Sequence, residues 1–148
     1  GIQALDLVRR KLFIHDGALP ELLFQKMDAF ISTQAGNEAA SEFVAPLEEA
    51  LGRLRALTQW LLEAADDNPD ELGAASTDYL RVFALTTLAW FWAQMGTLAG
   101  EGEQDAFNAS KLNTARFYFA RLLPQTAGLD AAVRSGADPI MQPDEASF

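Results

Sequence analysis

The sequence has no cysteine and only one histidine among its 148 residues. Without cysteine the chain has no disulfide, no thiolate nucleophile and no sulfur ligand for a metal. This composition suits a reducing compartment, and we expect a cytoplasmic location. The first residues are charged and amphipathic, which is not the pattern of a secretory signal peptide.

Positive charge is also scarce. The chain has 11 Lys and Arg residues against 21 Asp and Glu residues, which gives a net charge of −10. A surface that binds nucleic acid needs clustered Lys and Arg, and anionic lipid attracts the same residues. The composition therefore argues against a nucleic-acid partner and makes a membrane partner a poor expectation.

Strand-like alternation is absent over any useful length, and apolar residues recur instead at helical spacing. The first such stripe is Ile2, Leu5, Val8 and Leu12. The sequence predicts an all-α, up-and-down bundle of five to six helices around a central apolar helix. We expect a helical domain over residues 1–135 and an extended arm over residues 136–148, which contain two prolines.

The central helix is predicted over Val82–Ala93, where no residue is charged and apolar side chains lie on every side. The uncharged stretch continues to Gly100 and approaches the length of a membrane span. Threonines, Gln94 and Gly96 lower the hydrophobicity of this stretch, and the neighbouring amphipathic helices need an apolar surface to pack against. A buried core helix is therefore favoured over a membrane span.

Glycine and proline predict the breaks between helices. Gly36 and Asn37 suit a helix end followed by a new N-cap, and Asn68–Glu71 reads as a helix start with a capping box. We expect Pro46 to kink or break the third helix and Pro124 to bend or restart the fifth. Gly73 is expected to interrupt the first turn of the next helix. Residues 100–103 are expected to form a loop, and the fifth helix is expected to begin near Gln104.

Four groups of residues are candidate chemical sites, and a structural role is favoured for each. They are the adjacent pair His15 and Asp16, the carboxylates Glu63, Asp66, Asp67, Asp70, Glu71 and Asp78, the indoles of Trp60, Trp90 and Trp92, and the basic trio Arg9, Arg10 and Lys11. The carboxylates lack the ligand alternation of a calcium-binding loop, and aromatic residues at helical spacing are usually core. The sequence therefore nominates no catalytic, cofactor-binding or metal-binding residue.

Four segments resemble a known family. The opening GIQALDLVRRKL resembles the segment after the catalytic Tyr-Glu-Gly-Thr-Asn motif of acyl-CoA dehydrogenases. TQWLLEAADDNPDELGAASTDYLRVFALTTLAWFWAQM, KLNTARFYFARLLPQTAGL and SGADPIM resemble the extra C-terminal domain of bacterial members. The order of the Trp-Leu-Leu, Asp-Tyr-Leu-Arg and Trp-Phe-Trp runs makes the middle of the match specific. The likeness is looser between Ala18 and Ala56.

The resemblance implies a flavoprotein oxidoreductase of fatty acid oxidation as the parent enzyme, which converts acyl-CoA to trans-2-enoyl-CoA with FAD. Its catalytic glutamate is expected upstream of this chain. At the place of Gly1 the family commonly has a Gln or Glu that touches the flavin, and glycine cannot supply that contact. This chain itself is then expected to hold no cofactor and to catalyse no reaction alone.

The resemblance also implies a role for the domain. It is expected to be structural, covering the dehydrogenase core of the same polypeptide or a subunit interface in a homo-oligomer. The alternative is a helical docking module that binds a partner protein or a membrane surface through the face around Arg9, Arg10 and Lys11.

Overall fold

The computed structural model describes residues 1–14, 18–103 and 105–141, which form helices and contain no strand. The all-α prediction is confirmed. The α-helices are α1 (Ile2–Arg9), α2 (Ala18–Thr33), α3 (Ser41–Asp67), α4 (Asp70–Glu101), α5 (Ala106–Phe117), α6 (Gln125–Arg134) and α7 (Asp138–Met141). Short 3-10 turns at Lys11–Phe13 and Glu38–Ala40 and a π-helical turn at Tyr118–Leu122 lie between them.

Helix α4 is the centre of the bundle, as predicted. It packs against α1, α3, α5 and α6, whereas α2 lies against α3. One core cluster surrounds its first half and includes Leu54, Leu61 and Tyr79. A second cluster surrounds its second half and includes Phe43 and Ala93. The long α4 thus joins two apolar cores into one body.

Two of the predicted breaks are present, and one cap differs. Gly36 has a positive φ of 84°, and the Asn37 side chain accepts a hydrogen bond from the Ala39 N–H at 3.0 Å. Asn68 Oδ1 accepts the Asp70 N–H at 3.1 Å. The predicted capping box is wrong, because Glu71 does not turn back to Asn68. Its Oε1 instead accepts the Ala137 N–H at 3.1 Å, near the other end of the chain.

The predicted interruption at Gly73 is also wrong, because α4 runs unbroken from Asp70. A glycine inside a helix costs about 1 kcal/mol. The buried residues just after it, Ala75 and Tyr79, outweigh that cost by packing into the first core cluster. The predicted break at Pro46 is absent, because α3 runs from Ser41 to Asp67 with the exposed Pro46 inside it, and a kink there stays a prediction.

Pro124 restarts the helix, as predicted, and the π-helical turn before it explains how. The Leu123 N–H bonds to the Tyr118 carbonyl at 3.0 Å, five residues back. This wider turn shifts the register just before Pro124, whose ring cannot continue a regular helix. The buried Thr126 then donates its hydroxyl to the Leu123 carbonyl at 2.8 Å, and α6 begins.

Three boundaries differ from the sequence prediction. Gly100 and Glu101 belong to α4 and not to a loop, and α5 begins at Ala106 after its N-cap Asp105. Residues 138–141 of the predicted extended arm are helical, since Asp138 and Pro139 suit a first helical turn. Residues 142–148 of that arm lie outside the described residues.

Candidate docking face

The carboxylates that cluster in the sequence do not come together in the structure as one site. Within the described ranges, no three Asp, Glu or His side chains come together as a metal site requires. Glu63 accepts from Gln59 at 2.8 Å, and Asp78 lies 4.0 Å from Arg81. These are helix-surface interactions. His15 and Asp16 lie outside the described residues.

The three indoles face different elements. Arg134 of α6 lies 5.5 Å over the ring of Trp60, and the ring of Trp92 stacks on Tyr118 at 6.4 Å. Trp90 packs against both core clusters. Their different neighbours indicate structural packing, and they do not line a common ligand cavity.

The basic trio is largely engaged by one carboxylate. Arg10 Nε lies 2.6 Å from Asp6 Oδ1, and Lys11 Nζ lies 3.5 Å from Asp6 Oδ2. The hydrogen bond from Arg10 lowers the pKa of Asp6 below its usual value. Asp6 therefore offsets one of the three positive charges that a docking surface around Arg9 would use.

Two buried tyrosines supply the polar contacts inside the bundle. The Thr58 hydroxyl donates to the Leu54 carbonyl at 2.8 Å, so the Tyr79 hydroxyl, 2.7 Å from Thr58 Oγ1, donates to Thr58. The Tyr118 hydroxyl donates to the Leu85 carbonyl at 2.9 Å. Burial raises the pKa of Tyr118 to about 12 and that of Tyr79 further, so both phenols stay neutral and bonded.

One face of α4 is covered, and its side chains are small. Ala89 and Ala93 are fully buried. A methyl group at Gly96 would lie 2.6 Å from Phe43 of α3 and 3.1 Å from Ala115 of α5. At Gly100 it would lie 3.1 Å from Ala39. Small residues therefore let the neighbouring helices approach α4 closely.

The opposite face of α4 is uncharged and open, and its side chains are large. Leu88 and Phe91 are each 47% exposed, and Leu98 is 67% exposed. Ala84 is exposed and Met95 is half-buried on the same side. We call these five residues, Ala84, Leu88, Phe91, Met95 and Leu98, the α4 stripe. An exposed apolar patch on a surface is typical of a protein–protein or membrane interaction site.

The α4 stripe is what sequence reasoning missed. All-round apolarity predicted that neighbouring helices would cover Val82–Ala93 on every side, whereas Leu88 and Phe91 remain half-exposed. By length and composition α4 is the one helix in the described part of the chain that is able to cross a membrane, a test that a core helix also passes. The available signal was the size of the side chains around the helical wheel.

These observations define an all-helical domain with an exposed apolar stripe on its central helix, and comparison with known proteins gives its family. Residues 23–144 match the model of the family described as acetyl-CoA dehydrogenase C-terminal like, and the chain belongs to that family. Over 160 aligned residues it is 25% identical to the broad-specificity linear acyl-CoA dehydrogenase FadE5 of Mycobacterium tuberculosis (strain ATCC 25618 / H37Rv). The alignment covers 99% of this chain and 26% of that protein, so the chain spans about a quarter of its relative.

Proposed function

We propose that this chain is a structural and interface domain of an FAD-dependent acyl-CoA dehydrogenase that forms trans-2-enoyl-CoA. The observation that carries the proposal is the α4 stripe, an uncharged apolar surface on the helix that organises the whole bundle. Its partner is the dehydrogenase core of the same polypeptide, in a homo-oligomeric enzyme in the cytoplasm. The domain stabilises that assembly and takes no part in the chemical step.

Three arginines are poor candidates for a flavin site, because carboxylates already hold them. FAD carries a pyrophosphate that needs available positive charge or helix N-termini. Here Arg10 faces Asp6, Arg55 faces Asp28 and Arg116 faces Glu42, each with a nitrogen–oxygen distance of 2.8 Å or less. These cations do not fit a pyrophosphate cradle, and we assign FAD to the core of the parent enzyme.

A flavin titration of the 148-residue chain tests this assignment. Tryptophan fluorescence reports on binding, since Trp90 and Trp92 lie on the central helix. We expect no saturable change when FAD is added. Saturation at micromolar FAD would contradict the proposal, because a packing domain has no reason to bind the cofactor specifically.

Removal of the domain from the full-length enzyme tests the structural role. We expect the truncated enzyme to unfold at a lower temperature or to lose its oligomeric state, since its partner surface becomes exposed. Calorimetry and size-exclusion chromatography with light scattering measure these two properties. A truncated enzyme with unchanged thermal stability and assembly would contradict the role proposed here.

A further inference from the structure

The α4 stripe has the spacing of a helix-packing seam. Ala84, Leu88, Phe91, Met95 and Leu98 follow one another by four, three, four and three residues. This is the spacing of the residues along one face of an α-helix. Where such a face is exposed and apolar, its rows of side chains can pack into the grooves of another helix, as in helix pairs that cross near 20°.

The covered face of α4 supplies a precedent inside the same molecule. Val82, Thr86, Ala89, Ala93 and Gly96 follow one another by four, three, four and three residues as well. Helices occupy that face, since Phe43 of α3 and Ala115 of α5 contact Gly96. On one side of α4, residues with this spacing pack against other helices. On the opposite side, residues with the same spacing are exposed and mostly larger.

We propose that the α4 stripe is the seam for one α-helix of the dehydrogenase core of the same polypeptide. This rests on the proposed function, and it adds the kind of partner element and its geometry. The partner helix lies nearly parallel or antiparallel to α4. It carries its own apolar residues at four-and-three spacing, and its contact spans about 21 Å, the rise of the residues from Ala84 to Leu98.

The start of the chain favours the core of the same polypeptide over a second copy. Ile2 and Leu7 of α1 share a cleft with Leu80 and Phe83, at the N-terminal end of the stripe. A polypeptide that continues upstream of Gly1 therefore leaves this domain beside the seam. In contrast, a second copy would bring another net charge of −10 against the first, which disfavours close association.

Photo-crosslinking in the full-length dehydrogenase tests the proposal. A benzophenone amino acid replaces Phe91, and a matched variant carries it at Phe107, which is 66% exposed on α5. From position 91 we expect crosslinks within one polypeptide, to core residues three or four apart on one helix. Position 107 is expected to give no such pattern.

Three results of the crosslinking would overturn the proposal. They are crosslinks from position 91 to a strand or loop of the core, crosslinks to α4 of a second copy, and crosslinks to lipid when vesicles of phosphatidylcholine and phosphatidylglycerol are present. None of them depends on FAD binding by the isolated chain. Saturable FAD binding therefore removes the proposed function and leaves the seam untouched. A crosslink to a strand or loop of the core removes only the helix seam, and a crosslink to a second copy or to lipid also removes the core as the partner of the stripe.

Glutamate substitutions give an independent readout. The seam variants are Leu88→Glu, Phe91→Glu and Met95→Glu, and the off-seam controls are Phe107→Glu and Phe117→Glu, at exposed apolar residues of α5. In the full-length enzyme we expect limited proteolysis to release the domain at least tenfold faster in the seam variants, because a charge would be buried at the contact. Equal release rates in both sets would overturn the seam. Unfolding of the isolated variant chains confirms that each one folds.

Discussion

The two faces of α4 differ in side-chain size. A helix usually buries its large apolar side chains, whereas the second half of α4 buries small ones and exposes large ones. From Thr86 to Ala99 the buried residues of α4 are Ala, Gly and Thr, and the α4 stripe consists mainly of Leu, Phe and Met. Burial of large side chains supplies most of the hydrophobic free energy of folding. On the covered side the large residues come from the neighbours, for example Phe43 and Leu47. The bundle therefore packs around the face of α4 that has small side chains and leaves the face with large side chains exposed.

The largest expected effect is at Gly96, where the covered face is tightest. We expect Gly96→Val to lower the free energy of unfolding by about 3 kcal/mol, because the new side chain overlaps the ring of Phe43. That ring is buried and packs 5.0 Å from Phe119, so it has little room to move. Urea denaturation measures the change.

The control for Gly96 is Gly52 on the exposed side of α3, where a side chain meets no atom within 4 Å. Gly52→Val is expected to change the free energy of unfolding by less than about 0.5 kcal/mol. Equal losses at both glycines would show that close approach to α4 is not what Gly96 provides.

Alkaline pH is the next strongest probe of the covered side. The raised pKa of Tyr118, about 12 in the folded chain, means that its contribution to stability is complete below pH 10, the usual pKa. It is lost as pH rises from 10 to 12, with a cost of about 2 kcal/mol. We expect ultraviolet absorbance to show both tyrosines ionising together with the loss of helix. Phenolate formation near pH 10 with the helices intact would contradict this burial.

A smaller effect is expected when one buried hydroxyl is removed. Tyr79→Phe deletes the hydrogen bond to Thr58, and Thr58 keeps its bond to the Leu54 carbonyl. We expect a loss of about 1 kcal/mol, the usual net value of one hydrogen bond. Thermal unfolding followed by circular dichroism measures it. A loss as large as that of Gly96→Val would mean that the Tyr79 hydroxyl stabilises the fold by more than one hydrogen bond, and no loss would mean that this bond contributes nothing.

The smallest effect is expected on the stripe itself. Leu88→Ala in the 148-residue chain should change the free energy of unfolding by no more than about 0.5 kcal/mol, since the side chain is half-exposed and alanine favours a helix. The same urea experiment measures it beside Gly96→Val. A loss of 2 kcal/mol or more would show that this face already supports the isolated bundle, and the contrast between the two faces of α4 would fail.

The sequence predicts the helices well because their signals are local. The spacing of Ile2, Leu5 and Val8, the cap at Asn37 and the restart at Pro124 all depend on neighbours within a few residues. The errors have long-range causes. Gly73 stays helical because of packing in the core, and Glu71 reaches Ala137 instead of its own helix start. Local pattern carries no information about such partners.

The candidate site was less predictable for the same reason. A helical wheel shows that α4 is apolar all round, but it does not show which side the neighbours take. The choice depends on how closely α3 and α5 approach, and the small residues Ala93 and Gly96 decide that. Side-chain volume, plotted on the helical wheel together with hydropathy, indicates which side of α4 the neighbouring helices cover.

The contact between Glu71 and Ala137 makes one amide a reporter of collective motion. The Glu71 carboxylate holds the Ala137 N–H just after Gly136, whose φ is 80°. That proton exchanges with deuterium only when the first turn of α4 separates from the end of α6. The exchange rate of this one amide, measured by nuclear magnetic resonance, would thus report how often the first turn of α4 separates from the segment that follows α6.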